Sequence, residues 1–398
     1  MDVGRLQELA KTQDTRVVGF AQRLIQTPSL PGAEGAAARL VQSEMQSLGY
    51  DETWIDEVGN VVGVVRGTGG GRSLMFNTHL DHVDVGDVGG WPFPPYDGKI
   101  VDGVLWGRGA VDIKGPTAAQ VYGVALLKQA GVALPGDVYV AGAVQEEVGG
   151  LGSLELARTT RTDRAVIGEA SNNELRRGHR GRIELVVRVT GRACHASAPE
   201  RGINPHYSLA SFLSALRDVD TLEDPFLGAE TFAPTLLFTD QTSANVVPGE
   251  VRLHIDWRTV PQRGPEDIRS EVASRLERAL LDGAAGEVSI KELRMRAYTG
   301  VERELPAAFP SLAIEERDPM LGAARAALEE VFGSPVPVGR WTFATDGGHL
   351  FAAGIPCIGF GPGDERLAHT NQEHVALADL SAAAVGNAVL AGALTTET

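Results

Sequence analysis

Four short runs of the chain are apolar at successive positions rather than at alternate ones: Asn60–Arg66, Ser73–His79, Asp137–Val144 and Arg164–Gly168. A strand of that kind has to be covered on both faces, which a largely parallel sheet between layers of helices provides. Helical segments lie where such a sheet needs them. An amphipathic N-terminal helix comes first, and a second over Glu34–Leu48 stops at Gly49. A third, over Thr117–Ala130, sits between Pro116 and Gly131. The predicted fold class is α/β, with a mixed but mostly parallel sheet flanked by helices.

Near His179 the period changes. Arg182–Thr190 places Ile183, Leu185, Val187 and Val189 at alternate positions, as a strand with one wet face does. A helix over Pro205–Leu216, strands at Thr235–Thr239 and Glu250–Arg258, a helix over Pro265–Leu281 and a strand over Glu287–Ala297 follow. The order β-α-β-β-α-β is that of a ferredoxin-like α+β module, one antiparallel sheet covered by two helices. The first pattern then resumes, with a helix over Pro319–Phe332, a strand at Pro356–Phe360 and a helix from Leu380. The expected organisation is a larger domain built from residues 1–178 and 301–398, interrupted by a smaller one over 179–300. A length of 398 residues, beyond the usual size of one core, agrees with two domains. The stretch Gly67–Gly71 follows a strand but opens no helix, so it is a turn and not a phosphate loop.

Charge narrows the choice of partner. Lys and Arg number 36 against 52 Asp and Glu, a formal net charge of −16, which repels nucleic acid and anionic membrane. Cys194 and Cys357 form no disulfide framework and no Cys-x-x-Cys pair, so both are read as buried free thiols. The N-terminal stretch has no signal-peptide core, and no apolar run approaches a membrane span. A cytoplasmic location is expected.

The strands of the larger domain end in chemistry. Ser73–His79 runs into His79-Leu80-Asp81, the strand near Tyr139–Val144 into Glu146-Glu147, and Arg164–Gly168 into Glu169. His369 follows Pro356–Pro362. Ligands of open α/β sheets bind beyond the carboxyl ends of the strands, so these residues share one rim. Asp112 joins them from the loop Gly107-Arg-Gly-Ala-Val-Asp-Ile-Lys-Gly115. Each residue alone is unremarkable, but several carboxylates converging on one rim repel unless cations sit among them. Two Zn²⁺ bring about +4, and three carboxylates with one hydroxide bring about −4, so a pair of ions nearly neutralises the set. His and carboxylate without thiolate suit a catalytic pair with open positions.

These motifs together (His-x-Asp, Gly-Arg-Gly-Ala-x-Asp-x-Lys-Gly, Glu-Glu, Gly-Glu, and Gly-Pro-Gly followed by Ala-His-Thr) resemble the M20 family of metallopeptidases and deacylases, across the whole chain. The resemblance implies that His79 and Glu169 hold one zinc, that Glu147 and His369 hold the other, and that Asp112 bridges them. It makes Glu146 the general base that serves a hydroxide held between the ions, and Asp81 the carboxylate that orients His79. It also implies a cis peptide bond at Asp112–Ile113, and an inserted domain that acts as lid and homodimer contact. Adjacent acids suit this division of labour, because neighbouring side chains in an extended segment diverge.

In the inserted domain, Cys194-His195-Ala-Ser-Ala-Pro199 resembles the family's lid motif, whose histidine stabilises an oxyanion in its own or a partner's site. Asn245 and Arg258 match residues that grip a substrate carboxylate, although Arg258 could instead pair with a local acid. His349, in Thr345-Asp346-Gly-Gly-His349, is placed at a pocket loop. His82 is read as supporting or solvent-facing, and His179, His206, His254 and His374 as structural. The expected reaction is removal of an acyl group from a small N-acyl amino acid, with Zn²⁺ and alternatively Co²⁺ or Mn²⁺ as the ions. Glu169, where peptidase branches tend to carry aspartate, leans the reading toward deacylases. A di-, amino- or carboxypeptidase on the same scaffold and a non-catalytic metal-binding protein stand as alternatives.

Overall fold

A computed structural model describes residues 2–396. Its contacts divide the chain into two compact units, one of residues 1–179, 294–303 and 312–398, the other of 180–293 and 304–311. The second unit therefore takes two stretches of chain, not one. The reason is a late strand, Ala308–Phe309, which pairs with Ile183 and Arg182 at the edge of the unit's sheet. The expected single strand Glu287–Ala297 is likewise two strands, Ala285–Ile290 and Glu292–Arg296.

In the larger unit the strands of the two largest sheets are β1 (Glu52–Ile55), β2 (Val61–Val65), β3 (Leu74–His79), β4 (Lys99–Val101), β5 (Val104–Trp106), β6 (Val138–Ala143), β7 (Arg164–Ile167), β8 (Leu175–Arg176), β9 (Val338–Gly339), β10 (Cys357–Gly359) and β11 (His374–Ala376). The helices are α1 (Val3–Ile25), α2 (Gly35–Ser47), α3 (Lys114–Gln129), α4 (Leu151–Thr159), α5 (Pro319–Phe332), α6 (Gly347–Ala352) and α7 (Leu377–Leu394). The main sheet runs β1-β2-β6-β3-β7-β10-β8-β9. Its centre, β6-β3-β7-β10, is parallel throughout, while β1, β2 and β8 add antiparallel pairings toward the edges. The sheet is mixed and mostly parallel at its core. Every residue of β2, β3 and β7 is buried, because helices cover both faces.

Parallel register decides where the strand ends fall. His79 pairs opposite Ala143, and Ile167 lies opposite both Asn77 and Gly359. The carboxyl ends of β3, β6, β7 and β10 thus share one edge of the sheet, and His79, Glu146, Glu147 and Glu169 follow at or just beyond them. A second, three-stranded sheet, β11-β5-β4, pairs His374 with Trp106. Its strands are three residues each, too short for a sequence period to reveal.

Helix α7 corrects one expectation. It is 18 residues with a mean hydropathy of 1.5, long and apolar enough to cross a membrane. It packs on α1, α3 and α5, and Ala383–Ala391 is buried throughout, so its apolarity serves the core.

The smaller unit has a sheet in the order Thr231–Thr239, Glu250–Thr259, Gly181–Thr190, Ala285–Ile290, all antiparallel. Ile183, Leu185, Val187 and Val189 pack with Phe212, Trp257, Val272 and Leu276, so the helices Pro205–Leu216 and Pro265–Ala279 cover one face of a separate core. Strand Thr231–Thr239 is longer than expected, with an irregular register between Pro234 and Leu237.

Candidate metal centre

Asp112 is the centre of the cluster. Its Oδ1 lies 3.0 Å from Nε2 of His79, and its Oδ2 lies 3.1 Å from Nε2 of His369. Glu169 Oε1 approaches the first imidazole at 3.6 Å, and Glu147 Oε2 the second at 3.1 Å. Two triads result, His79/Asp112/Glu169 and Asp112/Glu147/His369, each with its donor atoms within 4.8 Å of one another. One carboxylate offers an oxygen to each.

The neighbours of the cluster aim it. His79 Nδ1 is 3.0 Å from the Asp81 carbonyl oxygen, and donation there leaves the Nε2 lone pair for the cluster. The Asp81 carboxylate, expected to orient His79, lies 3.5 Å from Nδ1 and has further work. Its two oxygens accept the backbone N–H groups of Glu146 and Glu147, each at 3.1 Å. Glu34 accepts the N–H of Gln145 at 3.2 Å. Three successive amides of the turn after β6 therefore point at buried carboxylates. Gln145 and His369 both have positive φ, 57° and 62°, a conformation that costs side-chain-bearing residues energy and collects at functional sites. The Asp112–Ile113 peptide is cis, as the resemblance implies.

Charge in the cluster is held against burial. His79, Asp112, Glu146 and Glu169 are each at most 8% exposed, whereas His369 stands open. Burial raises the pKa of Glu146, Glu147 and Glu169, and neighbouring carboxylates raise it further. Burial opposes charge on His79, but Asp112 and Asp81 outweigh it and raise its pKa. Asp112 and Glu147 push His369 up to about 10. Both imidazoles thus stand where the surrounding carboxylates favour positive charge. The buried Asp112 Oδ1 meets only the His79 imidazole among the described residues, a place that suits a cation. Hard oxygens with two imidazoles, some positions buried and one side open, fit a pair of divalent ions.

The remaining expected residues lie apart from this cluster in sequence and role. In the smaller unit, His195 pairs opposite Val246, and Ala196 N–H donates to the Asn245 carbonyl at 2.9 Å, so His195 and Asn245 are neighbours. His195 is exposed; its Nδ1 accepts the Ser197 N–H at 3.1 Å, which leaves the proton on Nε2. Arg258 donates from Nε to Asp256 at 2.8 Å, the local-acid pairing that stood as its alternative, and Arg182 shares the same carboxylate at 2.7 Å. His349, expected to face a pocket, is 5% exposed on α6 and packs against Gly150, where a Cβ would come within 2.4 Å of its Nε2. Burial lowers its pKa to about 4.

Four buried residues of the site escaped sequence reasoning: Glu34, Arg108, Asp346 and Glu373. Asp346 is 2% exposed, neither of its oxygens accepts a hydrogen bond, and burial pushes it up to about 7. Only its nearness in sequence to His349 could have drawn notice.

Comparison with known proteins agrees with this geometry. Residues 75–394 match the model of peptidase family M20/M25/M40, and the chain belongs to that family. It is a hydrolase of carbon–nitrogen amide bonds. It is 31% identical to the Escherichia coli K12 protein YgeY, over 92% of this chain and 91% of that one. It is 27% identical to N-formyl-4-amino-5-aminomethyl-2-methylpyrimidine deformylase of Bacillus subtilis, over 94% and 93%. Aminopeptidase PepT from Bacillus cereus has the same fold, with a TM-score of 0.73 at 18% identity, covering 96% of this chain and 98% of that one.

His82 yields a pH prediction. It is buried, accepts the Ser29 N–H at 2.9 Å and donates to the Val83 carbonyl at 2.8 Å; burial, with Lys114 and Arg108 adding, lowers its pKa to about 4. A depressed histidine binds its proton less readily folded than unfolded, so its contribution is full above about pH 6.5 and is lost as pH falls toward 4. Urea unfolding of His82→Gln and wild type should show a deficit at pH 7 that shrinks by about 2 kcal/mol at pH 5. A deficit equal at both pH values would refute the neutral, buried state.

Proposed function

We propose that the chain removes an acyl group from small N-acyl amino acids, using two divalent ions, Zn²⁺ by choice of donors, with Co²⁺ and Mn²⁺ able to share them. His79 and Glu169 would hold one ion, Glu147 and His369 the other, with Asp112 between. The observation that carries the reading is the carboxylate of Asp112, which turns one oxygen to each imidazole, with Glu146 next in sequence to Glu147 of the second triad. When bound, such ions polarise an amide carbonyl and make water acidic enough to attack near neutral pH.

The chain's own residues then divide the proton work. Glu146 takes the proton of the attacking water and passes it to the leaving nitrogen. Its burial among carboxylates raises its affinity for that proton, as a shuttle needs. Asp81, through the Glu146 and Glu147 amides, fixes where both side chains begin. His195, with its proton on Nε2, donates to the developing oxyanion. Asn245, whose Oδ1 accepts from Ser243 Oγ at 2.6 Å, keeps its NH₂ for a substrate carboxylate, which Arg258 shares. His349 supports the turn at Gly150.

A homodimer is proposed through the smaller unit. Its edge strand exposes about half of Leu236, Leu237 and Phe238, an apolar edge that a second copy would cover. The thiols of Cys194 and Cys357 are both free, which suits the cytoplasm.

The substrate class is tested by turnover of the metal-loaded enzyme on N-acetyl, N-succinyl and N-formyl amino acids, on N-formyl amines without a carboxylate, and on dipeptides. Highest kcat/KM on the acyl amino acids is expected. Preference for dipeptides would replace the reading with a peptidase, and preference for the amines would agree with Arg258 being spent on Asp256.

Glu146→Gln should lower kcat by about 10²–10⁴-fold while metal analysis still finds two ions per chain. Unchanged turnover would sink the assignment. His195→Ala should lower kcat by about 10²–10³-fold with both ions retained. If His195 acts across the dimer, mixing the two inactive variants should restore about a quarter of wild-type activity, since half the dimers are mixed and each has one intact site. No recovery would leave His195 acting within its own chain.

A further inference from the structure

Behind Asp112 lies an ion pair that no part of the proposed chemistry uses. Glu373 is wholly buried. Its Oε1 accepts the backbone N–H groups of Val111 and Asp112, both at 3.1 Å, and its Oε2 meets Nη1 of Arg108 at 2.6 Å. Its own carbonyl accepts the N–H of Gly107 at 3.1 Å, a contact set by the pairing of β11 with β5. One residue, through its carbonyl and its carboxylate, therefore fastens both ends of the loop that presents Asp112.

Arg108 extends the clamp. Its Nη1 also donates to the Thr370 carbonyl at 3.3 Å, next to His369, and its Nη2 to the Asp84 carbonyl at 3.2 Å. Its guanidinium stands 5.0 Å over the ring of Trp91, a stack that holds the fork flat. Asn371 adds a bond to the Gly90 carbonyl at 2.8 Å. The loops of Asp112, of His369 and of residues 84–91 are fixed to one another through a single buried pair.

Electrostatics explains why both partners are needed. A carboxylate is the right acceptor for two converging amides, but beside Asp112 it adds a further buried negative charge. Arg108 offsets that charge without touching the donor atoms of either triad. The same device recurs at the turn after β6, where Asp81 and Glu34 accept the amides of Gln145, Glu146 and Glu147.

We infer that Glu373 and Arg108 are positioning residues that fix Asp112 relative to His369, and so set the affinity of the two-ion site. The inference rests on the metal reading given above. It differs from a plain stabilising role in what it moves: ion affinity and kcat, rather than melting temperature alone.

The test titrates metal-free wild type, Glu373→Gln and the double variant Arg108→Gln/Glu373→Gln with Co²⁺, by calorimetry and visible absorption, at a temperature where circular dichroism shows each folded. The double variant replaces the ion pair with two neutral amides, so it covers the case in which the single one leaves Arg108 unpaired and fails to fold. Ion affinity should fall by about 10–100-fold, with a changed cobalt spectrum. At saturating metal kcat should fall similarly while KM stays within about threefold, because the substrate contacts are elsewhere. A folded variant with wild-type affinity, spectrum and kcat overturns the positioning role, as does a lowered melting temperature with those three unchanged. A wild-type chain that takes up no Co²⁺ overturns the metal reading itself, a distinct failure.

Discussion

Buried negative charge is the constraint that the rest of the larger unit answers. Asp112, Glu146, Glu147 and Glu169 converge in a space where three of the four are nearly inaccessible to water, and Asp81, Glu34 and Glu373 stand just behind. A carboxylate in such surroundings survives only with hydrogen bonds or cations to replace its water. The outer carboxylates meet that need with backbone amides: Asp81 takes two, Glu373 takes two, and Glu34 takes those of Gly32 and Gln145. The inner ones have only imidazoles and one another, and the raised pKa of both histidines marks where positive charge is favoured.

The sheet makes that crowding possible. Four parallel strands end along one edge, and parallel pairing fixes their register to the residue. Ligands carried by the ends of buried strands are held more firmly than ligands on free loops. Asp112 is the exception, since it rides on a loop rich in glycine, and there the small sheet of β4, β5 and β11 with the Arg108–Glu373 pair takes the place of a strand. His369, at positive φ and open to solvent, is the least enclosed member.

Much of this was legible in the sequence because it is periodic. Runs apolar on both faces announced β2, β3, β6 and β7, and alternation announced Gly181–Thr190, so the α/β class followed. What stayed hidden has no period. Strands β4, β5 and β11 are too short, and Glu373, four residues past His369, looks like any acid in a polar loop. Its importance comes from a contact across more than 260 positions in sequence, with Val111. Asp81 was recognised, but its second task, accepting the amides of Glu146 and Glu147, is not visible in His-x-Asp. The late return of the chain into the smaller unit was missed for the same reason as the short strands: Ala308–Phe309 is two residues long.

The difference between chemistry and specificity follows from where each resides. Glu146, proposed to move the proton, is buried, and the turn that carries it is held by amides on two buried carboxylates, so its place is constrained by the fold. The residues proposed to meet the substrate, His195 at the oxyanion and Asn245 and Arg258 at the carboxylate, are exposed or half-buried on a unit whose core is made elsewhere, from Phe212, Trp257 and their neighbours. Changing them costs the fold little, since exposed polar side chains contribute weakly to stability. Proteins named for deformylation and for aminopeptidase action can therefore keep one architecture. On the reading proposed above, the buried carboxylates fix the bond that is cut, and a few less enclosed side chains decide what is attached to it.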